Sequence, residues 1–257
     1  MKFFVIGDIV GNSGVKKVEE ALPSFIKENK IDFVIANAEN SAEGMGITKQ
    51  IFDKLVESGV NAITMGNHTW GKRDIFAIAS DERILRPLNY SAGLPGQGYR
   101  TYNYNNKKIV VINLIGRVDM PVLSENPFNT VEKILNKIRN ESNIVIVDFH
   151  AEATAEKIAM GYYLDGKVTA VYGTHTHVQT ADEQILEKGT AYITDIGMTG
   201  PKKSVIGMDI AASLKRFVTT LPERYMVSKD TETVLDGIIL EVNDSTNKAE
   251  KIERVII

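Results

Sequence analysis

The chain has 257 residues, of which 43% are hydrophobic, enough for one α/β domain with a sizeable core. Its formal net charge is −3, which argues against bulk nucleic acid binding because that affinity comes from clustered lysine and arginine. The absence of cysteine excludes disulfides and thiolate chemistry, and it argues against an iron–sulfur cluster or a cysteine-bound zinc ion.

The first half of the chain alternates strands with helices. Short apolar runs at residues 3–6, 33–36 and 60–64 predict buried parallel strands. Between those runs, apolar residues recur at helical spacing at residues 15–26 and 47–55. This βαβαβ order predicts a parallel sheet covered by helices.

The second half supplies more strands and longer irregular connections. Helical spacing predicts helices near residues 131–138 and 152–163. Residues 86–104 and 116–128 contain prolines and follow no clear period, which predicts irregular loops. Further strands are predicted at residues 108–114, 144–149, 168–172, 191–194, 234–242 and 251–257.

Both halves therefore need a shared core. Two mixed sheets packed face to face, with helices outside, would bury every strand, and we prefer this arrangement to one open sheet. Since there is no repeat or linker, the sequence predicts one domain over residues 1–257. The first apolar run stops at Asp8, too early for a signal peptide, and no stretch approaches transmembrane length. These features predict a cytoplasmic protein without membrane contact.

Polar residues gather at the predicted strand ends. The four histidines of the chain all follow apolar strands, as do Asp8 and the Glu39-Asn40 pair. Ligand sites in α/β sheets form beyond the carboxyl ends of the strands, so these side chains are candidates for one site. The seven candidate metal ligands are Asp8, Glu39, Asn40, Asn67, His150, His175 and His177.

This donor set predicts a metal centre. A mixture of oxygen and nitrogen ligands suits borderline divalent ions such as manganese, iron or zinc. Seven ligands are too many for one tetrahedral ion but suit two ions that share a carboxylate. Two ions about 3.5–4 Å apart can clamp a phosphate and generate a nucleophilic hydroxide, which predicts a metal-dependent phosphoesterase. His175 and His177 would point the same way in an extended segment, which suits adjacent ions.

Each residue also has a purely structural interpretation. Asp8 is a candidate helix N-cap, and Asn67 is a candidate turn residue. The Glu39-Asn40 pair alone is typical of a surface loop, and His150 alone is typical of a buried core histidine. What favours the metal hypothesis is that all seven candidate ligands lie at the ends of predicted strands.

The order of these motifs resembles that of the calcineurin-like metallophosphoesterases. Two positions depart from the usual pattern of that superfamily: Val10 stands where a histidine is usual, and Ala38-Glu39-Asn40 stands where Gly-Asp is usual. Both departures resemble the YmdB-type branch of bacterial phosphodiesterases. The segments that carry the resemblance are Gly7-Asp8, Asn37-Ala38-Glu39-Asn40, Gly46-Ile47-Thr48, Gly66-Asn67-His68-Thr69-Trp70, His150, Gly173-Thr174-His175-Thr176-His177 and Asp195-Ile196-Gly197-Met198-Thr199-Gly200-Pro201.

The resemblance spans nearly the whole chain and implies a four-layer α/β/β/α sandwich. It implies hydrolysis of a small phosphodiester, a cyclic nucleotide and in particular 2′,3′-cyclic AMP. It implies two divalent or mixed-valence ions, iron or manganese before zinc, and it leaves a homo-oligomer open. By the resemblance, Glu39 bridges the ions. The other ligands divide into Asp8, Asn40 and His177 for one ion and Asn67, His150 and His175 for the other.

The resemblance makes His68 the catalytic residue, and its position supports that role. His68 adjoins the candidate ligand Asn67 but would point elsewhere in an extended segment. It would then be free to protonate a leaving ribose oxygen as a general acid, which contributes about 10²–10⁴-fold to the rate. The alternative is a histidine that only supports the ligands or packs in the core.

Two other functions remain open from the sequence. A metal-dependent phosphomonoesterase or phosphoprotein phosphatase would use the same metals with different pocket walls. A regulatory protein would bind metal and act through partners, but it would not need His68 together with all seven ligands.

Overall fold

The computed structural model describes residues 1–138 and 143–257, and these residues form two β-sheets flanked by helices. In chain order the strands are β1 (Lys2–Ile6), β2 (Asp8–Ile9), β3 (Phe33–Asn37), β4 (Ala62–Thr64), β5 (Ile84–Leu85), β6 (Tyr99–Tyr104), β7 (Lys107–Ile115), β8 (Asn143–His150), β9 (Ala170–Thr174), β10 (Gln184–Ile185), β11 (Ala191–Ile193), β12 (Met198–Pro201), β13 (Thr233–Val242) and β14 (Ala249–Ile256). The helices are α1 (Gly11–Asn29), α2 (Lys49–Glu57), α3 (Ile75–Ile78), α4 (Pro127–Ile138), α5 (Thr154–Leu164) and α6 (Ile210–Thr219).

Both sheets are mixed. In the first sheet the strand order is β2-β12-β13-β1-β3-β4-β5, and β14 pairs with β13 outside this path. Strands β1, β3, β4 and β5 run parallel, whereas β13 runs antiparallel to β1. The second sheet has the order β10-β11-β9-β8-β7-β6, in which β7, β8, β9 and β11 run parallel. The parallel strands of each sheet therefore end at a common edge.

The core consists of three apolar layers, and alternation along the strands assigns side chains to them. In β1, Phe3 faces the layer between the sheets, and Phe4 faces the helices outside the first sheet. In β8, Ile146 faces the layer between the sheets, and Val147 faces the helices outside the second sheet. Because these strands are buried on both faces, their sequences are continuous apolar runs. The predicted α/β fold, with two mixed sheets and helices outside, is confirmed.

Seven elements were not predicted from the sequence: strands β2, β5, β6, β10 and β12 and helices α3 and α6. The prediction of an irregular segment is wrong for β6, whose side chains alternate between half-buried and exposed and form no apolar run. This strand forms a hairpin with β7 through Asn105 and Asn106, whose φ angles of 46° and 62° suit a tight hairpin turn. Helix α6 was not predicted, and of its residues only Ser213 is buried.

Within the described residues, no helix is long and apolar enough to cross a membrane. The single-domain organisation over residues 1–257 and the cytoplasmic location stay predictions.

Candidate metal centre

The carboxyl ends of five parallel strands bring the predicted site residues together. Asp8 follows β1, the Glu39-Asn40 pair follows β3, and the Asn67-His68 pair follows β4. From the second sheet, His150 ends β8, while His175 and His177 follow β9. The two sheets meet at this edge, where His150 Nε2 lies 3.0 Å from Glu39 Oε1. All eight predicted site residues belong to one connected cluster of side chains.

The first half of the cluster surrounds His150 Nε2. This atom lies 3.0 Å from Glu39 Oε1, 3.1 Å from Asn67 Oδ1 and 3.1 Å from His175 Nδ1. Ligand atoms of Glu39, His150 and His175 all lie within 4.8 Å of one another, close enough for one ion. At most one proton can sit on His150 Nε2, so the other lone pairs that converge here lack a donor. A divalent cation fits this arrangement of donors.

The second half of the cluster contains Asp8, Asn40 and His177. Asp8 is fully buried, and its Oδ1 atom has no hydrogen-bond partner within the described part of the chain. A buried carboxylate oxygen without a donor is costly, and a metal ion would satisfy it. His177 Nε2 lies 3.7 Å from that oxygen and 3.1 Å from Asn40 Nδ2. The amide oxygen of Asn40 faces His68 instead, so Asn40 would have to rotate its amide group to bind the same ion.

Hydrogen bonds on the far side of each imidazole aim the histidines at the centre. Thr174 Oγ1 donates to Asp148 Oδ1 at 2.8 Å, so the hydroxyl is left to accept from His150 Nδ1 at 2.9 Å. His175 Nε2 lies 3.0 Å from Glu152 Oε2. In the neutral form of each ring, these contacts favour the proton on the nitrogen that faces away from the cluster, so the other nitrogen can offer its lone pair to an ion, the usual support for a metal-binding histidine.

His177 has the same kind of support from the backbone. Its Nδ1 atom lies 2.9 Å from the carbonyl oxygen of Ile206, which can only accept a hydrogen bond. The Nε2 lone pair of the ring therefore faces Asp8. Sequence reasoning missed Asp148, Glu152 and Ile206. A signal was present for Asp148 alone, an acidic residue inside an otherwise apolar strand.

The charges of the cluster are strongly coupled. Burial opposes the ionisation of Glu39, but the rings of His150 and His68 outweigh burial and lower its pKa to about 2. Burial also opposes a charge on His150, but Glu39 and Asp8 outweigh it and raise its pKa to about 9. Burial raises the pKa of Asp8, and burial together with the charge of His150 lowers the pKa of His175 to about 3. Buried carboxylates thus draw positive charge into the cluster, which bound ions would supply.

The prediction that His175 and His177 lie in an extended segment is wrong. His175 and His177 have φ angles of 95° and 65°, far from the extended region. Positive φ values in residues other than glycine are uncommon, and each costs about 1–3 kcal/mol. The two rings reach the cluster because the backbone twists between them.

His68 also lies in a turn and not in an extended segment. Its backbone N donates to Glu39 Oε2 at 2.8 Å, and its ring Nδ1 lies 2.8 Å from Asn40 Oδ1. The side chain keeps about a third of its surface exposed (32%), whereas His150 is fully buried. The ring therefore borders the cluster, with Nδ1 against Asn40 and part of the side chain exposed to solvent.

Comparison with known proteins decides the family. Residues 4–255 match the model of the YmdB-like protein family. The chain belongs to this family. The resemblance found in the sequence motifs is thereby confirmed.

Relatives of this YmdB-like chain align over nearly their whole length. The 2′,3′-cyclic-nucleotide 2′-phosphodiesterase of Bacillus subtilis (strain 168) is 46% identical over 258 residues, which is 100% of this chain and 97% of the relative. A crystal structure described as a novel phosphatase from Mycoplasma pneumoniae has a TM-score of 0.95 at 39% identity, covering 100% of this chain and 93% of the other. A hypothetical protein from Thermus thermophilus has a TM-score of 0.93 at 35% identity, covering 100% of this chain and 99% of the other.

Proposed function

We propose that this chain is a dinuclear metal-dependent phosphodiesterase that hydrolyses cyclic nucleotides, with 2′,3′-cyclic AMP as a substrate. The coarser prediction, a phosphoric ester hydrolase, is confirmed by relatives named as a phosphodiesterase and a phosphatase. The observation that carries the proposal is the convergence of buried carboxylates and imidazole lone pairs at one sheet edge, including the unpartnered Asp8 Oδ1.

Each half of the cluster would hold one ion. Glu39 lies between the halves and would be shared, because its carboxylate contacts His150 on one side and Asn40 and His68 on the other. The remaining ligands divide into Asp8, Asn40 and His177 for one ion and Asn67, His150 and His175 for the other. The donor set suits iron or manganese, with zinc next. When bound, the ions would polarise the phosphate and activate the attacking water.

His68 would act on the leaving group. In its charged form the ring holds one proton on Nδ1 against Asn40 Oδ1 and presents the other on Nε2. As the bond from phosphorus to the 2′ oxygen breaks, the Nε2 proton passes to that oxygen, which leaves as a hydroxyl group. The phosphate stays on the 3′ oxygen, in keeping with the name of the Bacillus subtilis relative. Protonation matters because an alkoxide is a poor leaving group.

A substrate panel tests the proposal. Metal-free protein loaded with manganese or iron would be assayed against cyclic nucleotides, nucleoside monophosphates and phosphopeptides. We expect 2′,3′-cyclic AMP to give the highest kcat/KM and a nucleoside monophosphate as the product. Turnover confined to monoesters or phosphopeptides would favour the phosphatase alternative, which the Mycoplasma pneumoniae structure supports. Unchanged activity in His68→Ala would favour a role through partners, since a regulator does not need that imidazole.

Other predictions concern the surroundings of the protein. A small phosphodiester substrate agrees with the name of the Bacillus subtilis relative. The absence of bulk nucleic acid binding, the cytoplasmic location and a homo-oligomer stay predictions from the sequence.

A further inference from the structure

The backbone between His175 and His177 needs a restraint from other parts of the structure. His175 and His177 both have positive φ angles, 95° and 65°, and Thr176 lies between them. Residues other than glycine keep such conformations only where the surrounding structure over-determines them. Glu152 and the carbonyl of Ile206 hold the rings themselves, whereas the contacts of Thr176 act on the backbone between them.

Thr176 is held by a buried ion pair, Lys157 and Asp195. The backbone N and the Oγ1 of Thr176 both donate to Asp195 Oδ2, at 3.2 and 2.7 Å. Lys157 Nζ lies 2.6 Å from the same oxygen and also donates to Thr176 Oγ1 at 3.4 Å. The other carboxylate oxygen accepts from the N of Gly197 at 2.9 Å. Asp195 thus uses its hydrogen-bonding capacity on the lysine and on two backbone segments.

Stability alone does not account for this ion pair. Lys157 and Asp195 are 2% and 0% exposed, so both charges lose their hydration. Replacing a buried ion pair by apolar residues is often neutral or stabilising, because desolvation offsets the attraction. The charged pair offers something that apolar side chains do not, namely directed hydrogen bonds to Thr176.

Asp195 is also part of the segment Asp195-Ile196-Gly197-Met198-Thr199-Gly200-Pro201, one of those that carry the family resemblance. The candidate ligands of the metal centre do not include it. Lys157 lies on α5, and Asp195 follows β11, so two elements of the second sheet and its helix layer converge on Thr176.

We propose that Lys157 and Asp195 are positioning residues that fix Thr176 and thereby aim His175 and His177 at the two metal positions. This inference rests on the proposed function insofar as it takes the two histidines to bind ions. Neither residue is assigned a contact with substrate. Loosening the pair is expected to weaken metal binding even where the fold is intact.

The first test cuts one hydrogen bond. Thr176→Val removes the Oγ1 contact while keeping the shape of the side chain. The matched control is Thr190→Val, at a buried threonine whose hydroxyl donates to Val168 O at 2.7 Å, at the opposite end of the second sheet. Isothermal titration with Co²⁺ and the visible spectrum of the bound ion report affinity and imidazole ligation, and thermal melting reports the fold. We expect about a tenfold loss of affinity in Thr176→Val and none in the control, since residues that orient metal ligands typically contribute 10–100-fold.

The second test removes the charges. Lys157→Met/Asp195→Asn eliminates both charges together and leaves no unpaired ion in the interior. We expect about a hundredfold loss of Co²⁺ affinity and, in its crystal structure, φ angles at His175 and His177 that differ from those of the parent. A loss of affinity in Thr176→Val at a melting temperature no lower than that of the control would support the proposal, and parental affinity in Thr176→Val would overturn it. So would a double variant with unchanged φ angles and unchanged affinity. If the double variant does not fold, Thr176→Val decides alone.

A failure of the proposed function can be told apart from a failure of the positioning role. If the parent protein binds no Co²⁺, the metal centre itself is wrong. The positioning role is then judged by the backbone: unchanged φ angles at His175 and His177 in crystals of Thr176→Val and of the double variant would overturn it, and changed ones would support it.

Discussion

Replacement of Gly66 by alanine is expected to abolish the metal centre without unfolding the protein. Gly66 precedes the turn that carries Asn67 and His68. A Cβ atom at Gly66 would lie 2.3 Å from Nε2 of His150 and 2.4 Å from Oε2 of Glu39. Ordinary contacts begin near 3.4 Å, so each of these two candidate ligands would have to retreat by about 1 Å. Metal–ligand distances tolerate only about 0.2 Å, so neither group could keep its place.

The fold should survive this change. The φ angle of Gly66 lies outside the left-handed region, so alanine is compatible with its backbone. Overpacking typically costs about 1–3 kcal/mol, against a total stability of about 5–15 kcal/mol for a folded domain. Function should suffer far more, because a displacement of about 1 Å of catalytic groups can reduce the rate about 10²-fold.

The assay compares Gly66→Ala with Gly93→Ala, a matched control whose added Cβ would meet no atom within 4 Å. Metal content after loading with manganese, the melting temperature, and kcat/KM toward 2′,3′-cyclic AMP would be measured for both. We expect substoichiometric metal and at least about a hundredfold loss of kcat/KM for Gly66→Ala, and parental values for the control. Full metal occupancy and parental turnover in Gly66→Ala would refute the inference that His150 and Glu39 hold their present positions to bind metal.

Four further results are expected. Elemental analysis of loaded protein should give two metal equivalents, and a single equivalent at saturation would contradict the dinuclear centre. At saturating metal, Glu39→Gln should reduce kcat more than Asn40→Ala, because a bridging carboxylate offsets charge on both ions; equal losses would argue against the bridge. His68→Ala should keep both metals and lose turnover on 2′,3′-cyclic AMP. Its loss of turnover on a nitrophenyl phosphodiester should be smaller, because that leaving group barely needs a proton. Equal losses of turnover on the two substrates would indicate that His68 stabilises transition-state charge instead. Burial raises the pKa of Asp236 to about 6, so the folded state binds more protons than the unfolded state between about pH 4 and pH 6, and its stability falls as pH rises through that window. The Asp236→Asn variant lacks this titration, so its melting temperature, measured without metal and relative to that of the parent, should rise from pH 4 to pH 7. A difference in melting temperature that does not change with pH would contradict this account.

The parts of the fold that sequence could predict are those whose signal is local. Strand β8 is buried on both faces, so its apolar run is visible without any knowledge of its neighbours. Strand β6 is a different case, because it lies at the edge of the second sheet with exposed alternate residues, and tyrosines and polar residues mark it only weakly. In helix α6, Leu214 and Phe217 are exposed, so the spacing of its apolar residues does not correspond to a buried face.

The candidate site divides in the same way. Placement of acids, amides and histidines at the ends of apolar strands is a local pattern, and it predicted all eight residues that the structure brings into one cluster. The conformation at His175 and His177 is not local, because it depends on Asp195, which lies 19 positions from Thr176 in the sequence. The support that Asp148 gives to His150 passes through Thr174, 26 positions away from Asp148. Such contacts exist only once the sheet has formed, which is why strand alternation predicted the wrong backbone conformation for His175 and His177.

The charge distribution of the cluster would link metal binding to the stability of the folded chain. Asp8 and Glu39 are fully or almost fully buried at the junction of the two sheets, and the first has an oxygen with no donor among the described residues. Burial opposes a charge on His150, but Glu39 and Asp8 outweigh burial and raise its pKa to about 9, so a proton on His150 compensates part of this negative charge when no ion is bound. Ions that replaced this proton would release it to solvent, and because they would bind the folded state in preference to the unfolded state, they would stabilise the fold through linkage. The candidate metal ligands would thus also determine how strongly the stability of the junction between the sheets depends on bound metal.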